Sequence, residues 1–182
     1  MVTNKNESND ASNADLKQAL FIGLDESFTS LEESIHDLNN DQVCAFPIPG
    51  ENNIAWIVMH CLDNLDDCAN DRPTGQRVMT YEWRWDLWDC KPEERPKPGD
   101  LFPARGDMIN LLHGIRAAAY VTLEKLDEPA LTRLSFPDPT KHSLADFYLR
   151  TIFHTQCHIR QIWLLRGALG LAGGYWPVQH WA

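Results

Sequence analysis

His154, His158 and Gln161 follow one another at steps of four and three residues, in a stretch whose apolar residues recur at helical spacing. On a helix these steps keep all three on one face, and two histidines one turn apart can direct both imidazoles at a single cation. The full stripe reads Phe147, Thr151, His154, His158, Gln161, Leu165, flanked by Leu144, Tyr148, Ile162 and Ala168, so His154, His158 and Gln161 stand mid-way along a core-facing side. Polar side chains there are costly unless each has a partner. Two ligands leave a first-row metal under-coordinated, so a third must come from elsewhere.

His60 is the best candidate, in the middle of a second helical stretch. His36 lies toward a helix end, His113 beside Gly114, His142 just before a helix start and His180 in the tail. On a helical wheel His60 sits about 100° from the centre of its apolar stripe, beside Trp56 and Asn64, a flank that a bundle helix with two neighbours can still turn inward. The same spacing suits a hydrogen-bonded core pair of histidines, and spacing alone leaves both readings open.

Three neutral imidazoles would leave a divalent ion its full charge and at least one open position, as in catalytic rather than closed structural sites. Such an ion lowers the pKa of a bound water or thiol and makes a nucleophile near neutral pH. Gln161, one turn beyond His158, is the candidate residue behind the ligands, either hydrogen-bonding a bound ligand or orienting His158. Cys61 and Cys157 adjoin two of the histidines, but a one-residue step turns a side chain by about 100°, and both are read as buried thiols. Tyr148 and Arg150 are read as packing and surface residues. Asp63, Asp66 and Asp67 have helical spacing that fits a carboxylate site, but they read as a solvated face, with Asp63 one turn beyond His60. The chain has no HExxH, Gly-rich phosphate loop or GxSxG motif.

The elements that must position these residues read as helices. Residues 14–38 carry Leu16, Leu20, Leu24, Phe28, Leu31, Ile35 and Leu38 every three or four positions. Residues 53–71 form a second helix that Pro73 and Gly75 stop, 107–126 a third, and 143–169 a fourth that opens on a Ser143–Asp146 capping box. Between about 73 and 105 runs a long connection with five prolines and the Trp83, Trp85, Trp88 cluster, read as a hydrophobic cover over the helices, with a pocket lid as the alternative. No alternating run is long enough for a sheet. The pattern is an all-α four-helix bundle in one domain, residues 14–182, after a polar, Asn-rich tail at 1–13 expected to be disordered.

Composition narrows the partners. The 182 residues carry a formal net charge of −10 and are 43% hydrophobic. That excludes global disorder and argues against binding to nucleic acid or an anionic membrane. No apolar run approaches the roughly 20 residues that span a bilayer. The start lacks the apolar stretch of a secretory signal, and five cysteines without a CxxC read as reduced thiols, so the expected location is cytoplasmic. The acidic residues gather on the first two helices. Residues 141–182 carry Lys141, Arg150, Arg160 and Arg166 against Asp146 alone, so an anionic cosubstrate near the last helix is not excluded by the overall charge.

Two segments together carry a family resemblance. AWIVMHCLDNLDD at 55–67 resembles the first histidine segment, and FHTQCHIRQIWLLRGALG at 153–170 the closing HxxxHxxQ helix with its LRxxLG end, of the DinB-like superfamily of metal-binding four-helix bundles. The resemblance spans the bundle, about 14–170. It implies an up-down-down-up bundle with the long crossover between helices two and three. It implies a divalent metal, nickel or zinc first, on His60, His154 and His158, and homodimers are common in such families. Characterised relatives include metal-dependent thiol S-transferases and a thiol-dependent isomerase. The implied function is therefore a metal-dependent transferase or hydrolase acting on a small-molecule substrate, with a low-molecular-weight thiol as the implied cosubstrate of the transferase. The alternative is a non-catalytic, stress-associated binding bundle whose histidine site is structural or vestigial. The Trp segment and the tail at 173–182 take no role from the resemblance.

Overall fold

The computed structural model describes residues 7–79, 96–134 and 142–171, with only the backbone described for 7–15. Four long helices form a bundle: α1 (Glu7–Glu33), α3 (Ile54–Asp66), α5 (Arg105–Lys125) and α7 (Leu144–Ala168). Short helices α2 (Asn40–Cys44), α4 (Arg72–Thr74) and α6 (Glu128–Thr132) lie in the connections. Among the described residues there is no strand, only an isolated bridge between Leu134 and Ser143. The all-α bundle expected from the periodicity is the observed fold class.

The helices start where the sequence supplies an acceptor for their free N–H groups. Ser143 and Asp146 form the expected capping box of α7, and Asn53 caps α3 by accepting from the Trp56 N–H. Boundaries differ from the sequence reading in two places. α1 begins at Glu7, within the polar segment read as a tail, and gives way to turns at Ser34, although Ile35 and Leu38 remain buried. α3 passes into a π-helical turn, Asp67–Asp71, before α4 and the left-handed Gly75 end the run. Gly75 has φ +73°, a conformation other residues adopt only with strain.

α1 packs on α5 and α7, and α3 packs on the same two. Leu24, Phe28 and Leu31 meet Val58, Leu62 and Leu65, Leu112 and Ile115, and Tyr148 and Ile162 in one core. Long side chains fix the relative directions. Lys17 near the start of α1 donates to the Glu124 and Leu126 carbonyls at the end of α5, while Arg105 at the start of α5 donates to the His36 carbonyl, so the two helices run opposite ways. Buried Arg166 at the end of α7 donates to the Ser34 carbonyl and to both carboxylate oxygens of Asp37, which places α7 alongside α1 in the same direction. The Tyr148 hydroxyl donates to the Ala69 carbonyl, so the start of α7 meets the end of α3. Tyr148 is fully buried and Arg150 exposed, as the sequence suggested.

The crossover leaves α3 under tight control. Asp66 is fully buried and accepts from the backbone N–H groups of Val78 and Met79 and from the Asn70 side chain. This corrects the reading of Asp63, Asp66 and Asp67 as one solvated face: Asp66 turns inward and holds the first residues of the crossover. Asp63 and Asp67 are instead paired with Arg77, which also reaches Asp71. The Trp83, Trp85, Trp88 cluster, His180 and the 173–182 tail lie outside the described residues.

Candidate metal centre

Three histidines meet between α3 and α7. The Nε2 atom of His154 lies 3.1 Å from Nε2 of His60 and 3.2 Å from Nε2 of His158. The ring centroids are 4.4 to 4.9 Å apart. All three side chains are half-buried, and among the described residues they form the one cluster of three or more possible ligand groups. An ion about 2.0–2.1 Å from each of three tetrahedrally placed nitrogens requires those nitrogens to be about 3.3 Å apart. The two spacings from His154 are close to that edge length, and all three ligand atoms lie within 4.8 Å of one another, so the donor set can gather round a small divalent cation.

Each leg has a local cause. The i, i+4 step on α7 stacks His154 and His158 one turn apart. His60 reaches them because its flank of α3 faces α7 rather than solvent, and Trp56, one turn earlier, lies flat against its ring at 4.8 Å with an interplanar angle of 12°. The sequence named Trp56 only as a neighbour on the wheel; the stacking that holds the His60 ring was not legible there. His36 and His113 are exposed, bonded to the Glu33 carbonyl and to Glu32, and His142 meets the edge of the Phe147 ring.

Gln161 settles the tautomer of His158. Nδ1 of His158 lies 2.7 Å from Oε1 of Gln161, an acceptor, so the ring proton sits on Nδ1 and Nε2 offers its lone pair to the shared point. Gln161→Leu is therefore expected to weaken binding of Zn²⁺ by about 10- to 100-fold, the usual cost of losing such a support. Gln161 is exposed, which corrects its reading as core-facing, because the bundle core closes before its flank of α7; the thermal midpoint of the metal-free protein should therefore hardly move. Competition against a chromophoric chelator measures the first and a thermal melt the second; unchanged affinity would remove Gln161 from the site.

The environment favours neutral rings at His154 and His158. Burial first, and then the neighbouring His158 and His60, push the His154 pKa down to about 3. Burial also lowers His158, against the opposing Gln161 hydrogen bond. A histidine whose folded pKa lies below its unfolded value of 6.5 binds protons better when unfolded. Its contribution to stability is thus complete above about pH 6.5 and is lost as the pH falls toward the folded value. The urea midpoint of the metal-free protein is expected to fall between pH 7 and pH 5, and to fall less in His154→Leu. Equal drops in both proteins would show that His154 is not the group responsible.

The neighbouring thiols do not join the site. Cys61 is fully buried, and burial raises its pKa; Cys68 is pushed up to about 12 by burial and by Asp67. Cys157 is exposed, which corrects its reading as a buried thiol. The rotation that takes it away from the metal-facing side carries it to the outer face of α7, with Phe153 and Leu164. The described cysteines, Cys44, Cys61, Cys68 and Cys157, are all free. Asp63 is held by Arg77, 2.7 Å away, instead of turning to His60. A separate cavity of about 510 Å³ opens on the α1–α5 side, lined by Lys17, Phe21, Tyr120, Leu123 and Glu124, away from the histidines. No helix among the described residues is long and apolar enough to cross a membrane.

Comparison with known proteins agrees with the all-α fold. The chain is similar in fold to a solved structure of a conserved protein from Enterococcus faecalis, with a TM-score of 0.64 at 15% identity over 84% of this chain and 96% of that one. At that identity the likeness speaks for the fold alone. No curated protein matches the chain. The family model of the DinB superfamily matches residues 24–162, a span that includes His60, His154 and His158. On that match, which covers well over half of its length, the chain belongs to the DinB superfamily.

Proposed function

We propose that the chain is a metal-dependent enzyme of the DinB type, in which His60, His154 and His158 hold one divalent cation, nickel or zinc. The reaction is transfer to or from sulfur, or hydrolysis, on a small-molecule substrate, with a low-molecular-weight thiol as the favoured cosubstrate. The observation that carries the reading is the convergence of three Nε2 atoms, one of them with its tautomer set by Gln161. When bound to three neutral ligands, a divalent ion keeps an open position and makes a thiol or water acidic enough to act as a nucleophile near neutral pH.

The residues of the chain divide the remaining work. His154 lies between the other two ligands and sets their spacing. Trp56 stops the His60 ring from turning, and Gln161 keeps the His158 proton on the side away from the ion. The basic residue Arg150, exposed and one turn before His154 on α7, suits an anionic cosubstrate.

The test is metal content. Full-length protein dialysed against Ni²⁺ or Zn²⁺ and then against buffer is expected to retain about one equivalent. Retention below about a tenth of an equivalent of either ion overturns the site. The loaded protein is then assayed for thiol conjugation to an activated aryl halide and for ester hydrolysis. Full loading with turnover in neither assay favours the alternative of a non-catalytic bundle.

A further inference from the structure

His158 has a partner for its Nδ1 proton and His154 has none. With Nε2 of His154 turned to the shared point, its proton belongs on Nδ1, yet that atom is buried and without a partner among the described residues. Two further buried oxygens in the same condition are Oγ1 of Thr151, on a side chain with no exposure, and Oδ1 of Asn64. Each buried polar atom of this kind is costly to leave unmatched.

The order of residues along the two helices puts Asn64 and Thr151 at a similar level. α3 and α7 run in opposite directions and are tied at two levels, by His60 to His154 and by Ala69 to Tyr148. Asn64 lies between the two tied positions on α3, and Thr151 lies between the two on α7. Both therefore stand at the same level, one turn from the triad. Thr151 is one turn before His154 and on its side of α7, about 60° away around the helix.

We infer that Thr151 and Asn64 are positioning residues for His154, forming a polar seat that takes up its Nδ1 proton through one enclosed water. The inference rests on the reading of the three histidines as a metal site. The hydrogens balance: the water accepts from Nδ1–H of His154 and donates to Oδ1 of Asn64 and to Oγ1 of Thr151. Three partners are what a buried water ordinarily has. The proton fixed at Nδ1 leaves the Nε2 lone pair free for the ion, so His154 gains from this seat what His158 gains from Gln161.

Thr155 supplies an internal control. Its Oγ1 is also buried and unpartnered, but it is the residue next to His154, about 100° around the helix. The experiment measures Zn²⁺ affinity of the full-length protein by competition with a chromophoric chelator, beside the thermal midpoint of each metal-free protein. Thr151→Val and Asn64→Leu are each expected to weaken Zn²⁺ by about 10-fold or more, with Thr151→Ser within about threefold of the parent and Thr155→Val unchanged. The metal-free midpoint of Thr151→Val should fall only slightly, because the hydroxyl gives up a single bond to the enclosed water and a methyl group of similar size keeps the packing. A slowly exchanging Nδ1–H signal of His154 in ¹⁵N NMR of the metal-free protein should disappear in Thr151→Val.

If Asn64→Leu fails to fold, the threonine pair decides alone. Thr151→Val binding Zn²⁺ within about twofold of the parent overturns the seat while leaving the metal site standing. So does equal weakening in Thr151→Val and Thr151→Ser. A parent protein that binds no Zn²⁺ overturns both.

Discussion

His154→Ala is expected to lower the affinity for Zn²⁺ or Ni²⁺ by more than about 100-fold, beyond the range of second-layer losses. Of the three histidines it is the central one: its Nε2 is within 3.2 Å of both others. Without it, His60 and His158 are two ligands on different helices, and two ligands do not close a first-row site. A ligand present at 100 times its Kd stabilises the folded state by about 2.7 kcal/mol, and this increment should vanish from the melting curve of the variant. His113→Ala serves as the control, since His113 is exposed against Glu32 and should leave metal stoichiometry unchanged. Helical circular dichroism shows whether the variant has kept its fold. A His154→Ala protein that is folded and still holds its metal would refute the three-histidine site.

The second large effect is expected at Asp66. Asp66→Ala removes a fully buried carboxylate that accepts from the Val78 N–H at 3.0 Å, the Met79 N–H at 2.8 Å and the Asn70 side chain at 2.8 Å. Leaving such donors unmatched costs about 1–3 kcal/mol for each buried group, so a loss of about 3 kcal/mol is expected from urea unfolding. Asp66→Asn, which keeps one acceptor oxygen, should lose about half as much. Asp63→Ala breaks only a half-exposed pair with Arg77 and should cost less than about 1 kcal/mol. Hydrogen exchange at Val78 and Met79 should accelerate in Asp66→Ala more than exchange in α5, because the crossover is released before the bundle opens. Equal costs at Asp63 and Asp66 would contradict the burial argument. Two turns beyond His60 on the same α3 run, Asp66 anchors the crossover beside the helix that carries one leg of the site.

Much of the site was legible because it is local. The pairing of His154 with His158 follows from a four-residue step on a helix, whatever surrounds it, and so does the reach of Gln161 to His158. The helix holding them announces itself through its apolar period and its Ser143–Asp146 cap. Together with the FHTQCHIRQIWLLRGALG segment, these were enough for the fold class and the family.

What the sequence left open depends on contacts between distant segments. The direction of His60 was ambiguous because a flank residue of a bundle helix faces either a neighbour or water; α7 and the stacked Trp56 decided it. Asp66 read as one more acid on a charged face because its partners are backbone N–H groups 12 and 13 residues away in a turn that no periodicity encodes. Cys157 read as buried because it adjoins a core position, and only the packing of α7 showed that its rotation leads to solvent. The sequence by itself determined the helices, the fold class and two of the three histidines, since helical spacing is set within one or two turns of chain. The tertiary structure decided the direction of the third histidine, the buried acid and the Thr151 and Asn64 oxygens without a partner among the described residues, since these depend on which helix lies opposite.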